Sequence, residues 1–194
     1  MLKYYYGTMA SGKSATLLMN AYQKKKNGRS ILILKPYENR DGNKIKSRVG
    51  LESECITFTP EDNVSRIIWK EFIKTGKFLE IFVDECQFLT KEQIKQLWSI
   101  SRKMSNVNCF GLKTTYKNEL FEGIKTLMVY ADEMIQLEPT CICKYCDKVA
   151  TTHLLIIDGE PVMDFPEKVE GDIEGDIHFE CVCIKCWNNK MKQD

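Results

Sequence analysis

The chain has 194 residues, 43% of them hydrophobic and 28% charged, the mix of an ordinary soluble protein and too apolar for wholesale disorder. Lys and Arg total 28 against 27 Asp and Glu, a net charge of +1. That balance argues against a protein whose main business is coating nucleic acid or an anionic membrane, which needs a surplus of cations. No apolar run reaches signal-peptide or membrane-spanning length, so the expected location is cytoplasmic.

Residues 2–6 read as a short strand. Residues 13–26 follow as a helix with Leu17, Leu18, Ala21 and Tyr22 on one side, stopping at Asn27-Gly28. Residues 30–35 form a strand apolar on both faces, as a sheet covered by helices requires. Residues 37–50, polar with two glycines and several cations, are expected to be a surface loop. A helical pattern over 60–74 carries Val64, Ile67, Ile68 and Phe72, and a third buried strand runs over 78–83. Thr90 is placed to cap a helix over 91–102 with Ile94, Leu97 and Trp98 as its buried stripe, and residues 106–110 make a fourth strand. Alternating strands and helices predict α/β architecture with right-handed crossovers.

Gly7-Thr8-Met9-Ala10-Ser11-Gly12-Lys13-Ser14 satisfies GxxxxGK[ST] without a mismatch. Gly7 and Gly12 let the backbone bend so that successive N–H groups converge on a polyphosphate. Lys13 adds positive charge at its β and γ groups, the Ser14 hydroxyl can ligate Mg²⁺, and the following helix turns its positive end to the same anion. A strand before and a helix after are the context the motif demands. The fold expected is a parallel P-loop sheet flanked by helices.

The third strand runs into Asp84-Glu85-Cys86-Gln87-Phe88. Beside a P-loop, a carboxylate at a neighbouring strand end completes the Mg²⁺ site, and Asp84 fits. Glu85 comes where the chain leaves the sheet and can take a proton from water or a substrate hydroxyl. Without the P-loop the pair would read as an exposed acidic turn.

Cysteine is the anomaly. There are nine, an odd number in a chain without an export signal, which disfavours a disulfide framework. Cys143 and Cys146, with Cys183 and Cys186, form two CxxC pairs suited to a closed four-thiolate zinc site. Each pair is preceded by a further cysteine, Cys141 or Cys181, so the ligand choice is ambiguous; the inner pairs have the better spacing. Metal there would tie together the ends of the acidic segment 158–176, which reads either as a solvated loop or as a binding lid. Two domains are expected: 1–138, binding nucleotide, and 139–194, binding zinc and carrying a substrate-covering loop at about 158–178.

The order of GTMASGKS, DECQF, Gly111-Leu112-Lys113-Thr114-Thr115-Tyr116 with Leu120-Phe121-Glu122-Gly123, and two terminal CxxC pairs resembles the zinc-containing type II thymidine kinases. Smaller echoes are Lys35-Pro36, Ser47-Arg48-Val49-Gly50 and the run from Cys146 to Pro161. The resemblance implies transfer of the ATP γ-phosphoryl group to the 5′-hydroxyl of thymidine or deoxyuridine. It implies Glu85 as base, with Gly7 to Ser14, Asp84, Gln87 and Arg40 on the side of ATP and Mg²⁺. Met9, Phe88, Leu112, Tyr116, Phe121 and His153 would enclose the pyrimidine, Ile173 and Gly175 would hold its edge through the backbone, and Phe179 would pack by the sugar. Structural Zn²⁺ and a homotetramer, with neither nucleic acid nor membrane as partner, are implied too.

The sequence departs from that pattern at His153, where relatives often carry Thr, at Glu174 for a glycine, at Phe179 for Tyr and at Tyr116 for Phe. Two other readings remain at this level: a nucleic-acid-stimulated P-loop ATPase with a zinc knuckle, and a non-enzymatic nucleotide-binding regulator. The near-neutral charge and short chain count against the first, and the intact Lys13, Ser14, Asp84 and Glu85 against the second.

Overall fold

The computed structural model describes residues 1–37, 42–77, 79–138, 140–165 and 176–191. The predicted alternation appears as strand β1 (Leu2–Tyr6), helix α1 (Lys13–Lys26) and strand β2 (Ser30–Pro36). A ribbon of β3 (Lys44–Lys46) and β4 (Glu52–Glu54) precedes β5 (Ile56–Phe58), α2 (Val64–Thr75) and β6 (Leu79–Val83). Then come α3 (Lys91–Lys103), β7 (Asn106–Gly111), α4 (Glu122–Tyr130) and β8 (Glu133–Gln136).

The main sheet has the order β5-β2-β6-β7-β1-β8, and every neighbouring pair in it is parallel. Helices cover both faces, which is why β6 is buried at all five positions. On one face Val64, Ile68, Ile94, Leu97, Ile100, Ile124 and Leu127 pack against Leu2, Tyr4, Leu34, Ile81 and Val107. On the other, Leu17, Leu18 and Ala21 of α1 meet Ile33, Phe82 and Phe110. Because the strands are parallel, their carboxyl ends at Tyr6, Val83 and Gly111 lie along one edge, where α/β sheets bind ligands.

Local chemistry sets the helix starts. Thr90 caps α3 in a full capping box with Gln93, a motif that contributes about 1 kcal/mol. Helix α2 starts at Val64, later than its apolar pattern suggests. The Asp62 carboxylate accepts from both the amide and the hydroxyl of Thr59, holding 59–62 as a turn, and the Asn63 side chain caps the helix by accepting from the Arg66 amide. The expected loop over 37–50 is in part the β3–β4 ribbon, with residues 38–41 outside the described set. Ile45 is 1% exposed and packs in the α1 cluster, so one apolar residue among charges anchors a strand that periodicity cannot reveal.

Beyond residue 140 the chain forms a separate antiparallel sheet of β9 (Thr152–Ile157), β10 (Glu160–Pro161) and β11 (Ile177–Val182), ending in α5 (Ile184–Met191). Its core is small: Cys143, Leu154, Ile156, Val182 and Cys183, flanked by Trp187 and Met191. No described helix is long and apolar enough to cross a membrane.

Candidate active site

The phosphate loop leaves β1 at the sheet edge. Gly12 takes φ 74°, and Ala10 a positive φ of 59°; that conformation costs a residue with a Cβ roughly 1–2 kcal/mol. Helix α1 begins at Lys13 with no side-chain cap at Gly12 and no acid in its first turn. Its positive end is therefore not neutralised from within, the condition for holding an anion. The Lys13 ammonium donates to the carbonyl of Thr8 at 2.6 Å. Burial lowers its pKa, and the charges of Glu85 and Asp84 act against that shift.

The acidic strand end meets this loop. The Ser14 hydroxyl donates to Asp84 Oδ2 at 3.0 Å across 70 residues of sequence. Asp84 Oδ1 is buried and has no hydrogen-bond partner among the described residues, a costly state for a carboxylate oxygen. Burial, then the adjacent charge of Glu85, pushes the Asp84 carboxyl up to about 7, with the Ser14 hydrogen bond opposing. An unsatisfied hard oxygen beside a hydroxyl is the donor chemistry that Mg²⁺ takes, so Ser14 and Asp84 fit that ion.

Glu85 turns out of the sheet at φ 50°, ψ 39°, left-handed backbone that a side chain adopts only when its surroundings enforce it. The Glu85 side chain is then held by Gln87. Its amide nitrogen donates to Glu85 Oε2 at 2.6 Å, and its carbonyl oxygen accepts from the Leu112 amide at 3.0 Å. A Cβ on Gly111 would stand 2.5 Å from that same Gln87 oxygen, so only glycine lets β7 approach so closely. Tyr4 completes the frame by donating its hydroxyl to the Leu112 carbonyl at 2.9 Å. Gln87, assigned from sequence to the nucleotide side, is hydrogen-bonded to Glu85.

The aromatic residues fall into two groups. Phe88 and Phe121 meet edge to face with centroids 6.0 Å apart, and with Gln87 they line a cavity of about 310 Å³. Tyr116 lies 6.5 Å from Phe179 and is nearly buried. Its hydroxyl bonds the carbonyls of Met163 and Phe165 and accepts from the Phe165 amide, while its own carbonyl accepts from Trp187 Nε1 at 2.9 Å. The hydroxyl that distinguishes it from Phe thus holds the segment entering the acidic loop. Phe179 itself is 45% exposed. Arg40, Ile173, Glu174 and Gly175 lie outside the described residues.

His153 is buried on β9, and its Nε2 accepts from the Met9 amide at 2.7 Å. Burial first, and the Lys13 charge second, push its pKa down to about 4 from an ordinary 6.5. The imidazole is therefore neutral at physiological pH, as an acceptor must be. Above pH 6.5 it adds no pH dependence to stability, because folded and unfolded forms are both neutral. Between 6.5 and 4 the unfolded chain takes up a proton that the fold refuses, so stability falls by up to about 3 kcal/mol. His153→Gln keeps an acceptor for Met9 and removes the titration. Its urea-unfolding free energy should fall less than that of the parent between pH 7 and 5; equal slopes would place the acid sensitivity elsewhere.

The sulfur atoms of Cys143, Cys146, Cys183 and Cys186 all lie within 4.8 Å of one another. Cys146 Sγ is 3.7 Å from both Cys183 Sγ and Cys186 Sγ. Four thiolates at the usual Zn–S distance of about 2.3 Å around a tetrahedral ion stand about 3.8 Å apart, so the cluster has the size for zinc. Cys141 and Cys181 point elsewhere, each with its thiol 3.5 Å from the Met9 carbonyl oxygen. Burial beside Cys141 pushes the Cys181 thiol up to about 11, so it carries its proton at neutral pH. The Thr140 hydroxyl adds a contact to the Ala10 carbonyl. This grip on the phosphate loop was invisible in sequence, where the two outer cysteines could be weighed only as alternative metal ligands.

The family model for thymidine kinase matches residues 1–187. The chain belongs to the thymidine kinase family. The thymidine kinase of Shewanella oneidensis is 36% identical over 188 residues, covering 95% of this chain and 94% of its own. That of Aliivibrio fischeri is 39% identical over 166 residues, 82% of this chain and 86% of its own. That of Rhodopirellula baltica is 34% identical over 185 residues, 94% and 85% respectively. Membership in the thymidine kinase family accords with the parallel sheet, its phosphate loop and the terminal cysteine cluster.

Proposed function

We propose that this chain transfers the γ-phosphoryl group of ATP to the 5′-hydroxyl of thymidine or deoxyuridine. The observation that carries the reading is the Ser14–Asp84 hydrogen bond, because it joins the phosphate loop and the acidic strand end in one site with Glu85 as the next residue. The nucleoside hydroxyl gives its proton to Glu85 Oε1, while Oε2 stays on Gln87. Lys13 and the amides at the start of α1 balance the charge on the phosphate oxygens. Mg²⁺, when bound by Ser14 and Asp84, neutralises charge on the β and γ groups. There is no covalent intermediate in this scheme; alignment and electrostatic stabilisation supply the rate.

Phe88, Leu112, Phe121 and Met9 form the apolar side of the nucleoside site, with Tyr116, His153 and Phe179 on the side of the C-terminal sheet. The division into 1–138 and 139–194, with a covering loop at about 158–178, belongs to this reading, as do structural zinc, a homotetramer and a cytoplasmic location. Nothing in the fold or among the relatives favours a nucleic-acid-stimulated ATPase or a regulator without activity. The test is a panel of nucleosides with ATP and Mg²⁺. Formation of dTMP or dUMP with equimolar ADP is expected; ADP release without nucleotide product would overturn the proposal.

A further inference from the structure

We infer that Cys141 and Cys181 form a reversible disulfide site built against the phosphate loop, open to small-molecule disulfides such as oxidised glutathione, whose closure weakens nucleotide binding. Both thiols rest on one oxygen, the Met9 carbonyl, at 3.5 Å each, so the two sulfurs converge on the same point of the loop. Neither is fully buried. Both backbones are fixed from outside the pair: the Cys141 carbonyl accepts from the Ala150 amide at 2.9 Å, and the Cys181 carbonyl from the Lys144 amide at 3.0 Å. Two tethered segments thus hold two sulfurs together at the rim of the loop.

The remaining cysteines compete poorly. Cys143, Cys146, Cys183 and Cys186 are gathered in their own cluster, where a bound metal ion withholds their thiolates from exchange. Cys55, Cys86 and Cys109 are buried. In the reaction, one thiolate of the pair attacks the S–S bond of the reagent, forming a mixed disulfide and releasing one small thiolate. The second cysteine attacks the protein sulfur of that mixed disulfide and expels the second small thiol. The protein loses two electrons and two protons, and the reagent ends as two thiols.

The consequence follows from geometry. Bonded sulfurs stand at about 2.05 Å and carry no proton, so the Met9 carbonyl loses both S–H donors while its amide stays bound to His153. The neighbouring Ala10 holds a positive φ only because its surroundings enforce it. Removing the clamp on one side lets that turn relax, and the amides that converge on phosphate lose their alignment.

The inference rests on the kinase reading only for its activity readout. Zinc-loaded chain is treated with oxidised glutathione, then assayed by peptide mapping, metal content, equilibrium ATP binding and kinetics. Expected are a Cys141–Cys181 crosslink, zinc retained, ATP affinity and the KM for ATP each weakened about tenfold, and full reversal by dithiothreitol. Cys141→Ser and Cys181→Ser keep a hydroxyl donor for Met9, and each should lose the oxidant response, measured as the oxidised-to-reduced ratio of the same variant. No crosslink, crosslinks through the inner cysteines with zinc release, an unchanged ATP affinity after crosslinking, or an undiminished response in the serine variants would each overturn the inference. Absence of kinase activity would leave the crosslink and binding measurements intact and count against the kinase reading alone.

Discussion

Glu85→Gln should lower kcat by about 10²–10⁴-fold, the range for loss of a general base, while the KM for ATP stays close to the parent value. The side chains have the same shape and share a Cβ, so the left-handed backbone at φ 50° is unaffected. What the amide cannot do is accept the proton from the nucleoside hydroxyl. A second effect has the opposite sign. The Glu85 charge is, after burial, the largest influence raising the Asp84 carboxyl to about 7. Without it Asp84 ionises more readily, so Mg²⁺ should bind the variant at least as tightly as the parent. Steady-state kinetics with a Mg²⁺ titration separates the two: a variant with undiminished kcat removes Glu85 from the chemistry.

Replacing both Cys183 and Cys186 with Ser should bring zinc from about one ion per chain to none, and should unfold the C-terminal sheet before the main one. The reason lies in the size of its core. The apolar contacts behind β9 and β11 come from a handful of residues, two of them cysteines of the cluster itself, and so small a core is stable only with a covalent or metal crosslink. Metal binding in such small sites is worth about 10 kcal/mol or more, which makes this the largest expected change in stability. Trp187, on α5 next to Cys186, donates to the Tyr116 carbonyl at 2.9 Å, so its fluorescence should shift well before global unfolding. Unchanged metal content in the double variant would refute the four-ligand assignment.

Much of this was legible in the residues because the signals were local. Helix α1 has the predicted bounds, since its apolar stripe and its Asn27-Gly28 stop are short-range features. The Thr90 cap is where the sequence placed it for the same reason. The β3–β4 ribbon was not legible, because a single buried Ile45 sets it, and that burial depends on α1 lying across from it. The start of α2 was misjudged because the turn at Thr59–Asp62 is held by side-chain hydrogen bonds that periodicity does not encode.

The functional residues divide the same way. Sequence alone determined that a phosphate loop, an acidic strand end and two CxxC pairs exist, because each is a short spacing with its own chemistry. Only the tertiary structure decided that Gln87 is hydrogen-bonded to Glu85, that the Tyr116 hydroxyl holds the entry to the acidic loop, and that His153, Cys141 and Cys181 grip Met9. Those contacts join residues 2, 49, 144, 132 and 172 positions apart in the chain. Apart from the Gln87 contact, no local pattern records them; they arise where the packing of the two sheets brings distant polar atoms together, and a donor taken out of bulk water there must find the acceptor that folding supplies.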